Sequence, residues 1–393
     1  MTATNIPLPF LGGLTAEEFL RDYWQKKPLL VRNAFPDIAY LVGKDDLLDL
    51  AQEASAESRI ILEKDGKKPW ELRKGPFNSK QYKQLPKSHW TLLVQAVDHY
   101  LPELADYWQN FSFIPSWRRD DVMISYAAPF GSVGKHFDQY DVFLVQGSGQ
   151  RRWQLGEFCG DDASFLSDTK LRILQDMPIT FDEVVNAGDL LYVPPKLAHY
   201  GVAQNDCLTF SFGFRAPSLS HVLEHIVDTA LEQTGAEALY QDIDLQAQNN
   251  GAWLNPQHLE KLQQQVLALL NQPNILSTAL APFLSEAKYE DYEPVGEEVD
   301  GEQLLAALQE GAVICRDPAS RFVYVGEQGN AQALYINGDE ICFDDSVDGA
   351  FVALLADNTR LTADDLQAYL VNNANSDWLC EQTATGYFIV LTD

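Results

Sequence analysis

The sequence predicts an α+β chain organised around a β-barrel, with helices before and after it and a small mixed module towards its end. Three observations predict this. Between Val122 and Phe214, short apolar runs rich in Val, Tyr and Phe recur between Gly, Asn and Pro turns, the pattern of a closed β-structure. From Ser218 to Leu270 the apolar spacing becomes helical. From Asp291 onward, short helix-like and strand-like runs alternate in a sharply acidic stretch. With 393 residues the chain exceeds one typical domain. It divides into residues 1–217 (barrel core about 95–217, behind a helical extension), a helical region 218–290 and an acidic module 291–393.

Composition narrows the possibilities. Hydrophobic residues at 46% allow proper cores, and no apolar run approaches the roughly 20 residues of a membrane span. MTATNIPLPF lacks the basic start and long apolar run of a signal peptide, so a cytoplasmic location is expected. The five cysteines are scattered with no CxxC pair, which suits a reducing compartment. The formal charge of −29 disfavours nucleic acid and membrane surfaces and favours basic protein partners.

In chain order, Thr15 caps a helix with Glu17 and Glu18 in its first turn and Phe19, Leu20 and Tyr23 as its apolar stripe. Pro28 stops it, and Leu29 to Val31 start a strand. Asp45 to Glu53 reads as a helix. Lys64 to Lys87 is the one basic island, with Trp70, Phe77 and Tyr82 among its lysines; against the surrounding charge it reads as a solvated loop with aromatics tucked inward. Residues 91 to 110 read as a helix, and Val122 to Tyr126 as a strand. Gly131 and Gly134 mark a loop. Val142 to Gln146 and Gln150 to Leu155, joined by Gly147-Ser148-Gly149, read as a hairpin. Asn186 to Asp189 turns into a strand at Leu190 to Val193, and Cys207 to Phe214 closes the barrel. Two amphipathic helices follow, at Ser218 to Gln233 and Gln257 to Leu270, with apolar faces suited to a dimer interface or to packing on their own barrel. The acidic module reads as helix (Gly301 to Glu310), strands (Phe322 to Val325, Ala333 to Ile336), helices (Val347 to Ala356, Ala363 to Asn372) and a closing strand (Tyr387 to Leu391), a winged-helix type of order. Its 20 Asp and Glu against three Arg and no Lys speak against DNA.

The chemistry gathers between His136 and His199. In a strand, His136 and Asp138 share a face, so an imidazole and a carboxylate look into one space. His199 follows the run Gly188-Asp-Leu-Leu-Tyr-Val-Pro-Pro, which ends a strand in a rigid turn, and only a barrel brings it to the other two. Two His and one carboxylate are the donor set of non-haem Fe(II) oxygenases, which need open positions for cosubstrate and dioxygen. Arg151 and Arg152 follow the turn; one points into the barrel, where it requires an anion, and parity leaves open which. His221 and His225 match H-x-x-E-H spacing but lie on the polar face of an ordinary amphipathic helix with no further ligand evident.

FLRDYWQKKPLLVRNAF, HFDQYDVFLVQGSGQRRW and GDLLYVPPKLAHYGVA together resemble the JmjC-type 2-oxoglutarate oxygenases. More narrowly, the chain is similar to the bacterial ribosomal oxygenases that hydroxylate an arginine of a large-subunit ribosomal protein. The resemblance implies a double-stranded β-helix (cupin/JmjC) barrel, a helical dimerisation region and a winged-helix-like C-terminal domain. It implies Fe(II) ligation by His136, Asp138 and His199, with 2-oxoglutarate and dioxygen as cosubstrates. It also implies that Arg151, assisted by Ser125, holds the distal carboxylate of 2-oxoglutarate. The implied partners are a basic ribosomal protein and a second copy of the chain, with no direct nucleic acid and no membrane. A JmjC lysine demethylase, a histidine hydroxylase and a non-catalytic cupin-type binding protein are the competing readings.

Overall fold

In a computed structural model, which describes residues 5–234 and 239–392, the chain separates into two units, Met1–Ala216 and Pro217–Asp393. No helix among the described residues is long and apolar enough to cross a membrane.

The first unit opens with helix α1 (Ala16–Asp22), whose Thr15 hydroxyl accepts from the Glu18 N–H while Glu18 accepts from the Thr15 N–H, a reciprocal cap. Strand β1 (Leu29–Val31) and helix α2 (Lys44–Leu50) follow, as the sequence led one to expect. Next come β2 (Ser58–Leu62), β3 (Glu71–Lys74), a short helix α3 (Ser79–Tyr82), β4 (Trp90–Val94), α4 (Pro102–Ala105) and β5 (Arg119–Ala127). The basic island is therefore no plain loop but a hairpin, a helical turn and a lead into β4. Residues 91–110 are corrected too: they begin in β4 and continue as short helical turns. Every residue of β4 is buried, between β2 and β5, and a continuous apolar run of this length carries no period to tell strand from helix.

The rest of the barrel comprises β6 (Asp141–Ser148), β7 (Gln150–Phe158), β8 (Phe181–Asn186), β9 (Leu190–Val193), β10 (Leu197–Ala203) and β11 (Cys207–Phe214). Two antiparallel sheets result, β1-β9-β6-β11-β5-β4-β2-β3 and β10-β7-β8. The larger thus reaches back to Leu29, well before the core suggested by sequence. Strands β6 and β7 do not form the expected hairpin: β6 pairs with β11 and β9, β7 with β8 and β10, and the chain changes sheets at Gly149. There φ is +65°, and a Cβ would run into the Asp206 carbonyl, so the turn needs glycine for a reason that the hairpin rule shares.

Alternation along β11 sets up the site. Phe210, Phe212 and Phe214 face a layer formed with Phe19, Phe111 and Trp108, whereas Thr209, Ser211 and Gly213 face the space between the sheets. Val142, Leu144, Trp153, Leu155, Val185 and Val193 pack the two sheets together across part of that space. Asp141, fully buried at the start of β6, accepts from the Tyr192 hydroxyl (2.6 Å) and the Gln25 amide (2.9 Å) and lies 3.3 Å from Arg118, fixing where the preceding segment that carries His136 and Asp138 ends.

The second unit begins with helices α5 (Leu219–Thr234), α6 (Pro256–Leu270) and α7 (Ile275–Ser285), the last unforeseen. Helix α8 (Gly301–Gln309) precedes β12 (Val313–Arg316), β13 (Phe322–Glu327), β14 (Asn330–Ile336), β15 (Asp339–Ile341), α9 (Gly349–Asp357), β16 (Arg360–Leu361), α10 (Ala363–Leu366), α11 (Asn373–Ala384) and β17 (Phe388–Leu391). The sequence missed β12 and α11 and read α10 too long, since the turn after Leu366 carries no Gly or Pro to announce it. Leu304, Leu308, Phe351, Val352, Leu355, Leu366, Trp378 and Phe388 form the core of this module.

Candidate active site

His136 and His199 face each other across a single antiparallel bridge: the His136 N–H donates to the His199 carbonyl (3.0 Å) and the His199 N–H to the His136 carbonyl (2.8 Å). This bridge closes the 63-residue gap. It also corrects two expectations. The segment around His136 and Asp138 is not a regular strand, and His199 lies within β10 rather than at the end of the Leu190–Val193 strand. The Asp138 carbonyl is pinned separately, accepting from the Lys196 N–H at 2.6 Å.

Each imidazole has its Nδ1 3.0 Å from a carbonyl oxygen, that of Gly134 for His136 and that of Leu197 for His199. A carbonyl only accepts, so Nδ1 carries the proton and Nε2 is left as a ligand atom. The Asp138 Oδ2 lies 3.5 Å from Nε2 of His199 and 3.9 Å from that of His136. One ligand atom from each residue falls within 4.8 Å of the others, close enough to share one ion. Burial, reinforced by His136, pushes the His199 imidazole down to about 4 despite the pull of Asp138, so at neutral pH it stands in the neutral, ligating form. Among the described residues His221 and His225 join no such cluster, and the ring of His225 stacks on Phe283 instead.

Arg151 is the inward arginine. It is 3% exposed, with Nη2 3.5 Å from the Ser125 hydroxyl and 3.7 Å from the Cys207 sulfur, its guanidinium 5.6 Å from the Trp153 ring, and Nε with no partner. Among the described residues it has no salt-bridge partner. Arg152 points out and grips Asp182 through Nε (2.6 Å) and Nη2 (2.5 Å). A buried guanidinium without a counter-charge is costly, and one bound carboxylate would supply what it lacks.

A cavity of about 510 Å³ holds both groups. Register orders its wall in tiers. Leu93, Ser125 and Thr209 stand side by side on β4, β5 and β11, with Gln146 on β6 behind them accepting from the Thr209 hydroxyl (3.1 Å), and Met123, Ser211 and Leu144 form the next row. Beyond these, Asp120, Asp121, Arg59, Gln95 and Tyr140 also line it. Asp121 is held rigidly: its Oδ2 accepts from the Ala96 N–H (2.7 Å) and the Gln95 amide (3.0 Å). Sequence reasoning named Ser125 and missed Asp121, although Asp121, Met123 and Ser125 share one face of one strand by simple alternation.

Models of two families match the sequence, the JmjC domain over residues 106–222 and the ROXA-like winged helix over residues 268–381. A Haemophilus influenzae protein named "Probable ribosomal oxygenase" is 37% identical over 88% of this chain and 90% of its own length. The chain belongs to the bacterial ribosomal oxygenases of the JmjC type. Another member of the family, the "Ribosomal protein uL16 3-hydroxylase" of Escherichia coli strain K12, is 33% identical over 94% of this chain and 96% of its own. The solved structure of YcfD, a ribosomal oxygenase from Escherichia coli, in complex with cobalt and 2-oxoglutarate aligns with a TM-score of 0.80 at 32% identity, covering 96% of this chain and 99% of that one. The family's cupin barrel and winged helix correspond to the two sheets and to the C-terminal module described above.

Proposed function

We propose that the chain is an Fe(II)- and 2-oxoglutarate-dependent hydroxylase of an arginine in a large-subunit ribosomal protein, acting in the cytoplasm. One observation carries the reading: a two-histidine, one-carboxylate set shares its cavity with a buried, anion-seeking Arg151 and with the carboxylates of Asp120 and Asp121. The donor set fits iron, being nitrogen and oxygen only and leaving positions for other ligands. The unpartnered Arg151 Nε fits a dicarboxylate.

Iron and 2-oxoglutarate, when bound, supply the activation of dioxygen and the transfer of one oxygen atom to carbon. His136, Asp138 and His199 hold the metal by atoms whose protonation the backbone has already set. Arg151 and Ser125 receive the distal carboxylate and so fix the cosubstrate's orientation. Asp121, locked by Ala96 and Gln95, offers an acceptor that need not reorganise to meet a guanidinium. Trp153, Leu144 and Leu93 keep that part of the cavity apolar and limit water.

Incubating ribosomal protein uL16, named for the Escherichia coli relative, with enzyme, Fe(II), 2-oxoglutarate and ascorbate will add one oxygen to an arginine, read by mass spectrometry of its peptides. Oxygen on histidine, or demethylation of lysine, would replace the arginine assignment.

The reading includes a homodimer. Leu219, Leu223 and Leu231 on α5 and Leu259, Leu262 and Val266 on α6 are exposed, an apolar surface that a monomer rarely leaves in water. Sedimentation should report a dimer, and Leu223→Glu with Leu262→Glu should yield monomer; a wild-type monomer at micromolar concentration would exclude the dimer.

A further inference from the structure

Seven of the chain's fifteen lysines lie between Lys64 and Lys87, a stretch of net charge +6 in a chain of −29. Lys64, Lys67, Lys68, Lys74, Lys80, Lys83 and Lys87 are all exposed, and among the described residues none makes a salt bridge, in a protein with 57 carboxylate side chains. The fold sets Lys64, Lys67, Lys68, Lys74 and Lys87 about the β2–β3 hairpin, with Lys80 and Lys83 on and just after helix α3. Strand β3 is the outer edge of the eight-stranded sheet, and the β2–β3 hairpin is at once a wall of the cavity and the base of this lysine border. Ile61 and Leu72, opposite each other in register, line the cavity; Arg59, which also lines it, stands opposite Lys74. The Glu63 N–H donates to the His89 carbonyl (3.0 Å), drawing the loop that carries Lys87 against the hairpin tip that carries Lys64.

We propose that this border is a docking surface for RNA, taking the phosphate backbone next to the segment that enters the cavity. The inference rests on the ribosomal-protein reading above, because such a protein is met bound to RNA as well as free. The whole-chain charge disfavours nucleic acid, and the border is the local exception: at physiological salt a charge acts over only about 8 Å. Solubility does not require lysines in so acidic a chain. Protection of a sheet edge accounts for Lys74 but not for the six lysines outside β3. Phe77 is buried and Trp70 and Tyr82 are half-buried, so what the border presents to solvent is lysine, which contacts phosphates rather than bases.

The test uses the full chain, a labelled single-stranded ribosomal RNA fragment and a charge-matched poly-glutamate peptide. Fluorescence anisotropy should show RNA binding whose logarithm falls with log salt at a slope of about −3.5, as expected for about five phosphate contacts. Charge reversal at Lys64, Lys67 and Lys68 to Glu should weaken it at least about tenfold. The same variant should hydroxylate the free ribosomal protein at the wild-type rate and the RNA-bound protein more slowly. Unchanged RNA affinity in the variant, or poly-glutamate binding as tightly as RNA, overturns the proposal. Wild-type enzyme inert towards the free ribosomal protein sinks the substrate reading instead, and the binding arm still decides whether the border takes RNA.

Discussion

Replacing His136 with Ala should abolish 2-oxoglutarate turnover, a loss of at least about 10³-fold in succinate formation, given that removing a mere supporting contact to a ligand already costs about 10- to 100-fold. The fold should survive, because the pairing of His136 with His199 uses main-chain N–H and carbonyl groups that alanine retains. Beyond the local Nδ1 contact to the Gly134 carbonyl, the His136 side chain turns into the cavity, where its Nε2 faces Asp138. The melting temperature should therefore stay within a few degrees while bound metal, measured after dialysis, drops. Turnover retained at even a tenth of wild type would remove His136 from the metal set.

Arg151→Ala should act on the cosubstrate instead. Losing two charge-assisted hydrogen bonds of about 1.5 kcal/mol each raises the 2-oxoglutarate requirement on the order of 100-fold, with much of the rate recovered at saturation. Arg151→Lys keeps the charge but not the planar fork, and should fall between the two. Arg152→Ala is the control: its ion pair with Asp182 is half exposed, and such pairs contribute about 0–1 kcal/mol, so the requirement should move less than about twofold. If Arg152→Ala raised the requirement and Arg151→Ala did not, the cosubstrate would lie on the other face of β7.

Much of this was legible in the sequence. His136, Asp138, His199 and the arginine pair were named from residue type and spacing, and α1, β9, β11, α5 and α6 from caps, turns and periodicity. These signals are local, generated by the side chains of the element itself. What misled was equally physical: β4 is buried on both faces and shows no alternation, and Gly149 has the same positive φ whether the chain folds back on its partner or crosses to another sheet.

The sequence by itself determined the chemistry of the donors and the sign of the charges, because both are properties of side chains. Only the tertiary structure decided that Arg151 rather than Arg152 enters the barrel, and that β6 and β7 join different sheets instead of pairing with each other. Each of those depends on strand pairing between residues far apart in the chain, and pairing is settled by which sheet an edge can join, not by the residues at the turn.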